Sequence, residues 1–225
     1  MELSPPLILS MWTAGIAGGA ALIAWWSVVG PGYLWLAGGV VAGLGLLSGL
    51  AGGGAAAYGA AALAGFGLIV ARHRIATVAV FSLSAVLAGI AASLDSPVVA
   101  VLSGSLLLGA ITSEMLLGHW FLVDPRLPRR SLLTLDVLAG AGLVLDVAIV
   151  AADGSIVLSG NEGVFSLTYL VLAGFTGLLM VGVWFSLREP RYSGVMAATG
   201  LSYLAVLTSF GVVTLGRALV TGGVT

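Results

Sequence analysis

The feature that most constrains this chain is the stretch of residues 33–71, which contains neither a charged residue nor a proline. As one helix it would be roughly 58 Å long at 1.5 Å per residue, about twice the thickness of a membrane hydrocarbon core. The stretch is therefore expected to cross a membrane twice. Glycines 52–54 are its only break signal, so we expect spans at residues 33–51 and 55–71.

Composition agrees with a membrane protein along the whole chain. Hydrophobic residues make up 60% of the 225 residues and charged residues only 8%, whereas soluble domains are about 25% charged. The net charge of −1 provides no basic field to attract nucleic acid. The sequence has no cysteine, which excludes disulfides, thiolate metal sites and iron–sulfur clusters, and no lysine, which excludes Schiff-base chemistry of the retinal-pigment kind.

The apolar runs predict an all-α, polytopic transmembrane helix bundle that forms a single integral membrane domain, residues 1–225. We expect about eight spans, separated by turns that contain proline, glycine or charged residues. All seven prolines fall at or outside the span ends, as helix start and stop residues do. The expected spans are 7–29, 33–51, 55–71, 75–94, 98–123, 131–152, 164–187 and 195–220.

Arginine predicts the orientation of the bundle, because positively charged loops stay in the cytoplasm. Seven of the eight arginines lie in the connections after spans three, five and seven, whereas the other connections carry Asp95, Asp153 and Glu162. We therefore expect arginine-rich cytoplasmic loops, both termini on the non-cytoplasmic side, and a bacterial-type plasma membrane. The expected partners are the lipid bilayer, and other membrane subunits or a second copy that packs on glycine- and alanine-rich helix faces.

Five ionisable residues lie inside the expected spans, where such groups are costly and are functional candidates. From the span ends, His119 lies roughly 6 Å from the arginine-rich surface and Glu114 about 13 Å from it. Asp136 lies at nearly the depth of His119, whereas Asp146 and Arg217 lie in the opposite half. The sequence thus predicts three levels, with Glu114 alone near the middle.

Spans five and six are joined by a short turn, so we expect a hydrogen bond between His119 and Asp136, which would make the imidazole more basic. Asp146 and Arg217 are expected to form an outer ion pair. Two simpler interpretations remain open. The ion pair could be purely structural, and His119, next to Trp120, could be a residue of the membrane-interface belt.

The favoured function is a carrier or proton-translocating membrane protein. Glu114, His119 and Asp136 would form the proton or substrate path, and Asp146 and Arg217 an outer gate or brace. We find no catalytic motif and no metal-ligand motif, which favours a protein that is not an enzyme on its own.

Two other functions remain open. The chain could be a membrane subunit of a respiratory or redox complex, with a quinone near His119, Trp120 and Asp136. A haem could be held by His73 and His119, or by Met115 and His119 on one helix face. The sequence requires neither cofactor. The chain could also be a membrane scaffold or assembly protein without chemistry of its own.

Overall fold

The computed structural model describes residues 4–158 and 162–221, and within these ranges the chain forms helices and short connections without a β-strand. Helices suit an apolar chain in lipid, because each helix satisfies its own backbone hydrogen bonds. The helices are α1 (Pro5–Trp26), α2 (Pro31–Ser48), α3 (Gly54–Val70), α4 (Arg74–Ser93), α5 (Val98–Trp120), α6 (Arg129–Ala152), α7 (Glu162–Arg188) and α8 (Tyr192–Val220).

Seven helical stretches in the described ranges are long and apolar enough to cross a membrane. The longest, Pro31–Val70, has 40 residues and contains α2, a π-helical segment at Gly49–Gly53, and α3. Gly52 has φ +111° and Gly54 has φ +69°. Residues with a Cβ rarely adopt such angles, so glycine is what allows the backbone to leave the helical path here.

The stretch reverses direction at these glycines, and α2 and α3 form an antiparallel hairpin. The Trp35 indole N–H, near the start of α2, donates to the Leu68 carbonyl near the end of α3, at 3.0 Å. Between these ends, a Cβ on Gly45 would lie only 3.1 Å from the amide nitrogen of Ala61. The two arms have 18 and 17 residues, which at helical rise is about 26 Å each.

Other neighbouring helices, α1 with α4 and α6 with α7, are also antiparallel, so the connections gather at two ends of the bundle. Arg74, at the start of α4, donates to the Trp25 carbonyl near the end of α1 at 2.6 Å. At the other end of the same two helices, the Ser4 hydroxyl donates to Asp95 at 3.5 Å. Arg129, at the start of α6, donates to carbonyl groups of the α7–α8 connection, including Pro190 at 2.9 Å.

The centre of the bundle is formed by α1 and α5, which are the most buried helices. They run parallel, and glycines allow their backbones to touch: a Cβ on Gly15 or on Gly109 would overlap the backbone of the facing helix. In lipid, such close contact of small residues is a main source of helix–helix attraction. Helices α6 and α8 pack against α5 on its other sides, which brings the polar residues of these three helices together.

Candidate functional site

The middle of the bundle contains two buried carboxyl groups, Glu114 of α5 and Asp136 of α6. Their side chains are 1% and 5% exposed. The Ser202 hydroxyl of α8 donates to Glu114 Oε1 at 2.9 Å, and Asp136 lies within electrostatic range of Glu114. Three neighbouring helices thus contribute to one polar centre inside an apolar bundle.

The position of Asp136 differs from the three levels expected from the sequence. Asp136 lies level with Glu114, because α5 ends at Trp120 and α6 begins at Arg129, each some two or three residues earlier than expected. Glu114 is six residues before the end of α5, and Asp136 is seven after the start of α6. The Ser103–Asp146 hydrogen bond gives the same alignment of α5 with α6. Ser113 lies ten residues after Ser103, and Asp136 lies ten before Asp146. The antiparallel helices therefore place Asp136 level with Ser113, the neighbour of Glu114.

Several polar atoms at this level have no hydrogen-bond partner among the described residues. They are Glu114 Oε2, Asp136 Oδ1 and the hydroxyl oxygen of Ser113. The Ser113 hydroxyl faces α1, where the absence of a side chain at Gly19 gives it room. Buried polar atoms are nearly always paired in native proteins, so a cluster of unpaired ones calls for a functional explanation. Carboxyl oxygens of this kind can accept a proton or a cationic group.

A second polar cluster lies toward the other end of the bundle, away from the arginine-rich connections. The Arg217 guanidinium of α8 contacts the carboxylate of Asp146 of α6, and both side chains are at most 1% exposed. The Ser103 hydroxyl of α5 donates to Asp146 at 2.9 Å and accepts from Arg217 at 3.0 Å. The Tyr169 hydroxyl of α7 donates to the second Asp146 oxygen at 3.4 Å.

Two glycines make room for this cluster. A Cβ on Gly216 would lie 3.2 Å from Asp146 Oδ2 and 3.1 Å from the Tyr169 ring. A Cβ on Gly104 would lie 2.9 Å from the sulfur of Met11 and 3.9 Å from Arg217. Within the described residues, Arg217 Nε and Nη1 have no partner. The cluster therefore joins four helices through one ion pair whose cation is not fully satisfied.

The hydrogen bond expected between His119 and Asp136 is absent from the described residues. His119 is exposed near the end of α5, and its Nδ1 lies 3.4 Å from the hydroxyl of Tyr203 on α8. The reason is helix geometry: His119 is one residue from the end of α5, so it lies more than a helical turn closer to the arginine-rich end than Asp136. His119 and Tyr203 thus form a separate polar contact between the central pair and that end.

The other candidate residues lie at separate places. The Trp120 ring meets the ring of Tyr33 on α2 edge-on, with centroids 6.2 Å apart. Met115 is half-buried and packs between the two halves of the apolar core. His73 precedes α4 and lines a groove beside Trp25, whereas His119 contacts α8 on another side of the bundle. His119 and Trp120 thus contact different helices, α8 and α2, and Asp136 lies more than a helical turn farther from the arginine-rich end.

Sequence reasoning missed the hydroxyl groups that contact the ionisable side chains of the two clusters and of His119. They are Ser103, Tyr169, Ser202 and Tyr203, each of which contacts an ionisable side chain. Serine and tyrosine occur throughout the apolar runs, so no local signal separates these four from the others. In the described ranges no group of three or more histidine or acidic side chains is placed to hold a metal ion.

Comparison with known proteins adds no further assignment. No protein-family model, no curated protein and no solved structure matches this chain. The two buried clusters are therefore the features from which a function can be inferred.

Proposed function

We propose that this chain is an integral membrane carrier that translocates protons, and that Glu114 and Asp136 form its proton-binding centre. The observation that supports this proposal is the pair itself: two buried carboxyl groups at one level, each with an oxygen that lacks a partner. Ionisable groups at such positions are costly and are seldom kept without a role.

The pair has the chemistry that proton transfer needs. Two carboxyl groups within electrostatic range in a medium of low dielectric constant repel each other when both are charged, so the pair favours a state in which at least one of them is protonated. A proton held by one group can be passed on when that group gains a new partner. The Ser202 hydroxyl holds Glu114 on the α8 side, which leaves Glu114 Oε2 as the free acceptor.

Polar groups on either side of the pair mark the proposed path. His119 and Tyr203 lie between the pair and the arginine-rich end. On the other side, the hydroxyl groups of Thr176 and Thr208 are 2.8 Å apart, and Thr208 lies between Ser202 and Arg217 along α8. In the proposal the Asp146–Arg217 cluster acts as the outer gate or brace.

We further propose that the chain crosses the membrane eight times, with the arginine-rich connections in the cytoplasm and both termini on the opposite side. The antiparallel hairpin of α2 and α3 supports two crossings for Pro31–Val70, and the positive-inside rule supports the orientation. The membrane would be a plasma membrane of the bacterial type.

Single cysteines test this topology directly, because the natural chain has none. Ala51→Cys, Asp153→Cys and Arg126→Cys are placed at exposed positions in three connections. A membrane-impermeant maleimide applied to intact cells should label positions 51 and 153 but not 126. If the maleimide labels position 51 neither in intact cells nor in opened membranes, position 51 lies inside the membrane and Pro31–Val70 crosses it once.

The proton-translocating function is tested by flux into liposomes. Purified protein is reconstituted with a pH-sensitive dye inside the vesicles, and a potassium gradient with valinomycin drives proton entry. We expect Glu114→Gln and Asp136→Asn each to abolish flux, because an amide cannot carry a titrating proton. The matched control is Glu189→Gln, the same change at an exposed carboxyl group in the α7–α8 connection.

The outcomes separate the candidate functions. Flux that persists in both Glu114→Gln and Asp136→Asn, in protein that remains monodisperse, refutes the proposed path. No flux in the natural protein, together with loss of stability alone in the variants, favours a scaffold. A haem absorption band, or quinone in stoichiometric amount in an extract of the purified protein, favours a redox subunit.

A further inference from the structure

A groove between α6 and α7 leads from the outer surface of the bundle to Asp136. Its volume is about 440 Å³, within the range of small-molecule sites. Side chains on both rims are exposed on the bundle surface, among them Val144 at 71% and Phe185 at 64%. In a membrane such surface faces lipid, so the groove is open to molecules dissolved in the bilayer.

Asp136 lines one end of this groove, at the level of Trp184. Gly177 faces Leu143: a Cβ on Gly177 would lie 3.6 Å from a Leu143 methyl group. Asp136 lies seven residues before Leu143, and Trp184 seven after Gly177, so the antiparallel helices bring the two residues level. Asp136 Oδ1 has no partner among the described residues, although the side chain is only 5% exposed.

The rest of the groove is apolar and aromatic. Its walls include Leu143, Val144, Met180 and Phe185. The Trp184 ring lines the groove, and the Arg188 guanidinium carbon lies 4.6 Å from its centroid. A single acidic group beside an aromatic ring, at the end of an apolar groove, is complementary to a positively charged ligand with an apolar body.

We propose that this groove binds a lipophilic organic cation, which enters from the lipid between α6 and α7 and pairs with Asp136. The inference rests on the proposed carrier function and names its substrate class. Protonation of Asp136 and pairing with the cation would exclude each other, so the proton and the cation compete for the same carboxyl group. The charged groups near Asp136 from the neighbouring helices are Glu114 of α5 and, about one turn beyond Trp184, Arg188 of α7.

Binding of tetraphenylphosphonium to the full chain in detergent tests the inference, with equilibrium dialysis as the readout. Tetraphenylborate has the same shape and the opposite charge, so it separates charge recognition from partition into an apolar groove. We expect saturable binding of the cation near one per chain, and binding of the anion that is at least about tenfold weaker.

Two variants locate the site. Asp136→Asn should weaken cation binding at least about tenfold, because it removes the charged partner. Gly140→Leu fills the groove without altering a charge, because a Cβ at Gly140 meets nothing within 4 Å, and it should weaken binding to a similar extent. Gly174→Leu is the control, since a Cβ at Gly174 would also meet nothing within 4 Å, but Gly174 does not line the groove.

Each result has a definite meaning, provided that gel filtration shows the variants to be folded. Equal binding of both ions, or cation binding that survives Asp136→Asn and Gly140→Leu, overturns the inference. Proton flux that is lost in Glu114→Gln, combined with no cation binding by the natural chain, overturns the inference and leaves the proposed function intact. Cation binding that depends on Asp136, without any proton flux, keeps the site and overturns the proton-carrier function.

Discussion

The Asp146–Arg217 pair offers a quantitative test of how the bundle is held together. Asp146→Asn retains the shape of the side chain and one acceptor oxygen, which can still receive the Ser103 hydroxyl bound to Oδ1. It replaces the oxygen that accepts from Tyr169 with an amide nitrogen, and it removes the negative charge. Arg217, which is 1% exposed and has two nitrogens without partners, would become an unpaired buried cation. Breaking a buried pair in this way costs about 3–5 kcal/mol.

The second half of the test removes the cation as well. In Asp146→Asn combined with Arg217→Met, an apolar side chain of similar length fills the space without a charge. Replacement of a whole buried ion pair by apolar groups is often close to neutral. We therefore expect the double variant to lie within about 2 kcal/mol of the natural protein, and thus to be more stable than Asp146→Asn alone.

The free energy of unfolding can be measured by titrating the protein from mild detergent into mixed micelles with sodium dodecyl sulfate. The six tryptophans report the transition through their fluorescence. Asp153→Asn, the same change at an exposed position, is the control and should shift the free energy by less than about 0.5 kcal/mol. The reasoning would be refuted if Asp146→Asn lowered the free energy of unfolding by less than about 1 kcal/mol. It would also be refuted if the loss in the double variant equalled the sum of the losses in the two single variants.

Three further changes test other contacts in the same unfolding assay. Gly109→Ala should lower the free energy of unfolding by about 1–3 kcal/mol, because its methyl group would overlap the backbone of α1. Gly39→Ala is the control: its methyl group would meet nothing within 4 Å, so the free energy should change by less than about 0.5 kcal/mol. Gly52→Ala should cost about 1–3 kcal/mol, because φ +111° is strained for a residue with a Cβ. Thr112→Val should cost about 0.5–1.5 kcal/mol, through loss of the 2.8 Å hydrogen bond from the Trp12 indole. The effect of Thr112→Val should disappear in a protein that already carries Trp12→Phe.

Helix positions could be predicted from the sequence because lipid imposes a length and proline marks the ends. The expected span at residues 75–94 corresponds to Arg74–Ser93, and the span at 131–152 to Arg129–Ala152. The reversal at glycines 52–54 was also readable, because an uncharged stretch of 39 residues is too long for one crossing.

Side-chain partners were much harder to predict, because they depend on where each helix ends and how it is rotated. An error of three residues at the end of α5 was enough to place Asp136 beside His119 instead of Glu114. The near-uniform apolar character of the helices gives no face from which rotation could be read. The partner of His119, Tyr203, lies 84 residues away in the sequence, so no local pattern could reveal it.

The touching glycines of α1 and α5 also bear on how the protein is made. Gly15 and Gly109 are 94 positions apart in the sequence, and ribosomes add about 5–20 residues per second. The first helix therefore waits in the bilayer for roughly 5–20 s before its partner emerges. During that interval its small-residue face is available to any neighbouring helix, including that of another nascent chain. Helix α4, which also packs against α1, is made before α5, so the first helix already has one native partner when Gly109 emerges.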